Sequence, residues 1–306
     1  MLAGSPLTVN LMGSMKITNK HGLPRTFENV LRNDDYTMGD ARISVTGLLK
    51  PPRIGLLFQK HSQHIEIDVV DQIWSILGRA VHKILEQGGD EQHLPEERLY
   101  AEVRGWRISG QADLQAKPGN RFKLVDYKNT SAYAVIHGKQ EWEEQLNLYR
   151  WLVQINKLHE VDELEVCAIV RDWNRREAKA KYWYPQQPVE MVPIRLWTMD
   201  EAQRFAEDRV RIHQEAISAA EMGDEPPPCT DQERWMRTPT YAVVKAGNKR
   251  ASRIFDDPSE AAEYASNRGS DFVVETREAE PVRCTGDYCH VSRWCKQYRE
   301  WMEKKQ

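Results

Sequence analysis

Apolar residues recur every three or four positions through Ile67–Gln87, at Val70, Ile73, Leu77, Ala80, Val81 and Ile84. That spacing predicts an amphipathic helix, ended by Gly88-Gly89. His82 falls off the centre of the stripe, and Gly78, one turn earlier, is expected to leave room beside its imidazole. On its own His82 reads as a solvated helix histidine; the competing reading is a metal ligand directed into a site. A second helical period covers Lys139–Asn156, with Trp142, Gln145, Tyr149 and Leu152 on one stripe. Gln145 and Tyr149 stand four apart, so they are neighbours that need polar partners if buried. They are either amphipathic residues on a helix edge or a pair that holds a substrate phosphate or base.

Between these helices the pattern alternates. Glu97–Val103 and Trp106–Leu114 read as strands around Arg104-Gly105, and a turn at Lys117–Asn120 leads into Phe122–Lys128. Period two puts Phe122, Leu124, Asp126 and Lys128 on one face, and Asp113 on the neighbouring strand can join them. Two carboxylates suit a hard cation such as Mg²⁺. A lysine beside them can orient water or neutralise developing phosphorane charge. The plain alternative is a surface ion pair on a hairpin. Glu102 is a further candidate carboxylate.

Outside this stretch, residues 15–42 are polar and aperiodic, an extended arm, and Ile43–Phe58 reads as a turn and a short helix around Pro51-Pro52. Leu164–Asp172 is an apolar run fit for a central strand, with Cys167 as a core residue. Tyr182–Tyr184 and Val189–Leu196 read as strands, and Arg171, Arg175, Arg176, Lys179 and Lys181 form a basic run, either a solvated β-hairpin or a phosphate track. Of the tryptophans, Trp142, Trp151, Trp173, Trp183 and Trp197 are assigned to the core, with one or two free to stack on bases. Thr198 with Glu201 is a capping box that opens a helix to about Met222. Gly223 and Pro226-Pro227-Pro228 close it and mark the domain boundary. Beyond them Tyr241–Lys245, Ala251–Phe255, a helix from Pro258 and Phe272–Glu275 predict a ββαβ insert within residues 240–276. The insert separates Cys229 from Cys284, Cys289 and Cys295.

Composition narrows the class. The 306 residues are 40% hydrophobic and 29% charged, a globular balance with length for one large domain or a core plus a small module. A net charge of −3 means that any nucleic acid must be met by a local basic groove. No apolar run reaches membrane-span length, no signal peptide is evident, and the five cysteines are not spread as a secreted framework, so a reducing cytoplasmic setting without membrane partners is expected. Residues 1–14 read as an appended leader, 15–225 as the core with its arm, and 226–306 as a cysteine-bearing module.

Gly78-x-x-x-His82, Gly110-x-x-Asp113, Asp126-x-Lys128 and Gln145-x-x-x-Tyr149 occur in one order, each on the element type that would expose it. Together they resemble the RecB-like exonuclease branch of the PD-(D/E)XK superfamily, over roughly Ile67–Leu152. The resemblance implies an α/β restriction-endonuclease-like core, a mixed central sheet flanked by helices. It implies Mg²⁺ or Mn²⁺ held by His82, Asp113, Asp126 and the Tyr127 carbonyl, Lys128 as the catalytic lysine, and Gln145 with Tyr149 supporting the site or DNA. Glu102 is a weaker carry-over. The cysteines extend the likeness to exonucleases of phage and CRISPR systems that carry an iron–sulfur staple. That implies a [4Fe–4S] cluster on Cys229, Cys284, Cys289 and Cys295, with Zn²⁺ as the alternative. Two departures stand: the first gap of the triplet is wide, and Cys229 follows the core. The implied activity is exonucleolytic cleavage of single-stranded DNA or DNA ends, with a protein partner in a recombination or CRISPR complex. The competing classes are a non-catalytic DNA-binding adaptor that keeps the fold and a zinc-stapled scaffold whose insert binds protein.

Overall fold

The computed structural model describes residues 15–33, 37–88, 93–94, 98–117, 121–157 and 159–305, with the backbone alone for Glu86, His93, Leu94 and residues 113–117. Two compact units form. One comprises the chain up to Pro52 with His61–Asp224, the other Arg53–Lys60 with Glu225–Gln306.

The expected irregular arm contains a strand, β1 (Lys16–Thr18), and a helix, α1 (Arg25–Arg32). They are followed by β2 (Ile43–Ser44), α2 (Val45–Leu48) and α3 (Pro52–His61), which begins with proline inside its first turn. Ile67–Gln87 is not one helix. Strand β3 (Glu66–Asp68) pairs in parallel with β1, a single 3-10 turn covers Val69–Gln72, and helix α4 is confined to Ile73–Glu86. Asp68 causes the delay: its carboxylate accepts from Val70 N at 3.1 Å, Thr18 Oγ1 at 2.9 Å and Lys20 N at 2.8 Å, which holds this segment to β1. The predicted stripe is only partly covered. Leu77 and Ile84 are exposed, whereas Ile73, Ile76 and His82 are half-buried. Ile73 and Val81 of the stripe are half-buried, so no single face of the helix is covered throughout.

The central layer is a mixed five-stranded sheet in the order β10-β9-β8-β7-β4, built from β4 (His93–Leu94), β7 (Asp113–Lys117), β8 (Arg121–Thr130), β9 (Glu160–Val170) and β10 (Val189–Pro193). Only β8 and β9 run parallel. A smaller sheet, β2-β6-β5, contains β5 (Arg98–Val103) and β6 (Trp106–Gln111). The hairpin between them turns at Arg104 and Gly105, both at positive φ, as a two-residue loop of the primed type requires. The run expected as one strand, Trp106–Leu114, therefore breaks at Ala112, where the chain passes from the small sheet to the large one.

Parallel strands need a crossover, and α5 (Ala132–His137) and α6 (Gln140–Lys157) supply it between β8 and β9. Trp142, Leu146, Leu148, Trp151, Leu152 and Val153 of α6 are buried against Leu124, Val161 and Val166 of the sheet. Each such side chain stabilises by roughly 1.5–3 kcal/mol. Asn147, 1% exposed, keeps its amide satisfied by donating to the Glu143 and Arg195 carbonyls and accepting from Trp197 N. The basic run forms a short helix, α7 (Arg175–Ala180), capped by Asn174, instead of a hairpin, and Tyr182–Tyr184 is a turn instead of a strand. Cys167 is half-buried, on the outward side of a strand whose Val166 and Ala168 are fully buried. Helix α8 (Met199–Glu221) opens with both capping-box bonds, Glu201 N to Thr198 Oγ1 at 3.1 Å and Thr198 N to Glu201 Oε2 at 2.6 Å.

The second unit pairs β11 (Met236–Arg237) with β15 (Glu280–Pro281) around the insert. The insert is β12 (Thr240–Lys245), β13 (Arg253–Phe255), α9 (Pro258–Arg268) and β14 (Phe272–Arg277), in sheet order β13-β12-β14. Ala261 and Ala265 of α9 pack on Val243 and Phe255. Two helices, α10 (Val282–Thr285) and α11 (Lys296–Lys304), complete the unit. No helix among the described residues is long and apolar enough to cross a membrane.

Candidate active site

Alternation along β8 delivers Asp126 and Lys128 to one face, and their charges meet: Lys128 Nζ lies 2.6 Å from Asp126 Oδ2. Lys128 also donates to Gln145 Oε1 at 3.0 Å, and Gln145 Nε2 donates to Tyr149 Oη at 2.9 Å. The spacing of four on α6 makes this relay possible, because it stacks Gln145 over Tyr149 on the side facing β8. The same strand also carries a plain ion pair, Lys123 to Glu165 at 2.7 Å.

These groups line one cavity of about 190 Å³, together with His82 and Gln111. Helix α4 brings in His82, whose ring stands edge-on to Tyr127 at 6.0 Å between centroids. Gln111 is a site residue that the sequence pattern did not single out. It ends β6 beside the sheet switch and accepts from Arg98 Nη2 at 2.6 Å. Its only signal is its position between Gly110 and Asp113.

Gly110 has a steric task here. A Cβ on it would lie 2.7 Å from Leu152 Cδ1 and 3.0 Å from the Tyr149 ring, so glycine lets α6 approach β6 closely enough to place Tyr149. Gly78 does not have the task expected of it. A Cβ there would meet nothing within 4 Å, so the imidazole does not need the missing side chain. Glu102 is not brought to the cavity: it is exposed on β5, paired in register with Arg107. Tyr127 does not line the cavity either. The backbone of Asp113 opposes Val125 across the β7–β8 ladder, one residue from Asp126, while its side chain lies outside the described residues.

The donor set fits a hard divalent cation. Asp126 is 8% exposed, and its Oδ2 makes no hydrogen bond, since the Lys128 contact lies off the hydrogen-bond axis. No three His, Cys, Asp or Glu side chains among the described residues are close enough to hold one ion.

The family model of the PD-(D/E)XK nuclease superfamily matches residues 91–296. The chain belongs to this superfamily. Its members are generally metal-dependent nucleases that use Mg²⁺ or Mn²⁺. Asp126-Tyr127-Lys128 has the D-x-K form of the superfamily name, and His82 lies ahead of the matched span. No curated protein matches the chain. Among solved structures, a crystal structure of SSO0001 is similar, with 18% identity and a TM-score of 0.40 over 61% of this chain and 83% of that one, a distant likeness.

The nuclease match also spans the four cysteines of the second unit. Cys284, Cys289 and Cys295 are buried and Cys229 half-buried. Gln297 of α11 fixes Cys229 beside the others by donating to its carbonyl at 2.8 Å and accepting from its amide at 2.9 Å. Burial, reinforced by neighbouring Glu233, Cys295 and Cys289, pushes the Cys229 thiol up to about 12. Burial, with Cys289 and Cys295 next, pushes Cys284 up to about 11. Arg53, 4% exposed, donates to the Pro226 and Pro227 carbonyls and to Glu225, and its Nη1 lies 3.9 Å from Cys295 Sγ. Four thiols that sense one another beside guanidinium groups suit a group able to draw off their protons. No three of them meet at a single-ion distance.

Proposed function

We propose that this chain is a divalent-metal-dependent DNA exonuclease, acting on single strands or DNA ends, with a [4Fe–4S] cluster in its second unit. The observation that carries the reading is the relay Asp126–Lys128–Gln145–Tyr149 along one cavity in a member of a nuclease superfamily. His82, Asp113 and Asp126, with the Tyr127 carbonyl, would hold Mg²⁺ or Mn²⁺. The bound ion supplies Lewis-acid activation of water and of the phosphate.

The chain's own residues set the rest. Hydrolysis adds water oxygen to phosphorus and breaks one P–O ester bond, and the leaving oxygen takes a proton. Lys128 Nζ, held between Asp126 and Gln145, can donate to a nonbridging phosphate oxygen as negative charge develops there. Tyr149 accepts from the Gln145 amide nitrogen and so turns its carbonyl toward Lys128. Positioning in this way removes the entropy of finding the ammonium.

In the second unit, Cys229, Cys284, Cys289 and Cys295 are proposed as the cluster ligands. Their grouping in one unit supports this, with Zn²⁺ as the alternative. A cytoplasmic recombination or CRISPR-type pathway with a protein partner remains part of the proposal.

The test is cleavage of end-labelled single- and double-stranded DNA with Mg²⁺ or Mn²⁺, beside Lys128→Ala and Asp126→Ala. Metal-dependent shortening from an end is expected, slowed at least about 10²-fold in each variant. A wild type that binds DNA but never cuts it would make the chain an adaptor.

A further inference from the structure

Two exposed aromatic groups stand at the end of the sheet that carries Lys128, and neither takes part in the relay. On α4, Trp74 is 53% exposed although the Arg171 guanidinium lies 4.6 Å over its ring. On α5, Tyr133 is 70% exposed, with its ring 4.2 Å from that of His137. The backbone ties these elements together. Parallel β8 and β9 end side by side, Arg171 N donates to Thr130 O at 2.9 Å, and Ala132 N donates to Asp172 Oδ1 at 2.7 Å. Asp172 is the carboxylate of this corner and is occupied by that bond.

Gly78 lies between Trp74 and the cavity. Trp74, Gly78 and His82 are spaced by four, so they follow one another along one side of α4. Glycine inside a helix lowers its stability, and here no internal contact requires it, because a Cβ would enter open space. The result is a bare strip of helix leading from an exposed indole to the histidine of the cavity.

We propose that this strip is the entry track for a single strand of DNA, with a base stacked on Trp74, its phosphate held by Arg171, and Tyr133 as a second stacking surface. The chemistry is that of sequence-tolerant single-strand binding, a π-face with a cation beside it. A duplex base is already stacked on both faces and cannot use Trp74 in this way. The proposal rests on the nuclease reading for the direction of travel, toward His82 and Lys128.

Binding without turnover separates the two ideas. Anisotropy of a labelled oligothymidine of about 16 nucleotides, and of a hairpin duplex of equal length, is measured in EDTA. The proteins are the wild type, Trp74→Ala, Gly78→Leu and Gly78→Ala, each checked for an unchanged thermal midpoint or better. The wild type should prefer the single strand. Trp74→Ala and Gly78→Leu should each weaken it by about 10-fold and leave duplex binding alone, while Gly78→Ala, a smaller obstruction on the same strip, should weaken it less than Gly78→Leu. The strand should also quench tryptophan fluorescence in the wild type and not in Trp74→Ala. Unchanged oligothymidine affinity in both Trp74→Ala and Gly78→Leu, or a preference for duplex, overturns the track. If cleavage is normal in that case, the nuclease reading stands without it; if the variants weaken binding as expected and the wild type never cleaves, the track stands and the nuclease reading falls.

Discussion

The cavity of the first unit and the cysteine group of the second solve opposite problems. In the cavity, charge is neutralised by the protein itself: Asp126 has Lys128, Lys128 has Gln145, and Gln145 has Tyr149. The geometry is in place before any ligand arrives. The thiols of the second unit have no such internal answer. Burial holds Cys229 and Cys284 in the neutral form, pushed up to about 12 and about 11, and Arg53 is the buried cation at Cys295. On the proposed reading, one site is preorganised to act on a ligand, and the other is completed by its metal or cluster. The two units should therefore respond differently to loss of metal.

The largest effect tests that difference directly. Anaerobic purification followed by chelation, or Cys284→Ser, should strip iron and sulfide from the second unit and lower its unfolding midpoint. The first unit's transition should stay within a degree or so. Structural metal binding contributes on the order of 10 kcal/mol to such small modules, so two calorimetric transitions should separate. A single transition that moves as a whole would show that the units do not differ in this way.

Acidity gives the next test, on metal-free protein. The folded Cys229 thiol is pushed up to about 12 from an ordinary value of 9.0. The folded state thus holds its proton where the unfolded state releases it. The stability this contributes is complete below pH 9 and is lost as pH rises toward 12, roughly 4 kcal/mol in all. Denaturant titrations of the metal-free second unit should show that decline, and Cys229→Ser should flatten it. Metal uptake runs the other way, because thiolates are the ligands, so loading should improve over the same range.

A smaller effect belongs to the first unit. Gly110→Ala places a methyl group 2.7 Å from Leu152 Cδ1 and 3.0 Å from the Tyr149 ring. Overpacking of this kind costs about 1–3 kcal/mol. It should also displace Tyr149 and, through Gln145, loosen Lys128, so thermal midpoint and cleavage rate should fall together. Gly78→Ala should not lower the thermal midpoint, because its Cβ has space and alanine favours the helix by about 1 kcal/mol.

These two glycines show what could be read from the chain alone. The two pairs Asp126–Lys128 and Gln145–Tyr149 were legible, because period two along β8 and the spacing of four on α6 are local rules; the Lys128–Gln145 bond that joins them was not, because it depends on how α6 packs on β8. The capping box at Thr198 was legible by a local rule as well. The covered side of α4 was not, because Val70, Leu77, Ala80 and Ile84 of the predicted stripe are exposed while Ile73 and Val81 of the same stripe are half-buried, and packing, not periodicity, decides which. Nor was the grouping of Arg53–Lys60 with residues beyond Glu225, which joins positions more than 160 residues apart. Gly78 and Gly110 stand alike in their motifs, yet the first faces open space and the second faces Tyr149. Motif spacing names positions, and packing assigns their tasks.

Glu102 carries the smallest expected effect and a sharp test of the boundary between the site and its surroundings. It has the right chemistry for a metal ligand and lies on a strand next to β6, which ends at the cavity with Gln111. Alternation decides against it. Ala101 and Val103 are buried, so Glu102 points to the opposite, exposed face of β5 across from Arg107. The Arg107 guanidinium bonds Asp40 and packs over Tyr100 instead, so an exposed carboxylate at Glu102 is worth at most about 1 kcal/mol. Glu102→Gln should therefore leave the metal dependence and rate of cleavage unchanged and move the thermal midpoint by little. A rate loss approaching that of Asp126→Ala, or a changed metal concentration for half-maximal activity, would place Glu102 in the site and require β5 to turn its exposed face inward when DNA binds.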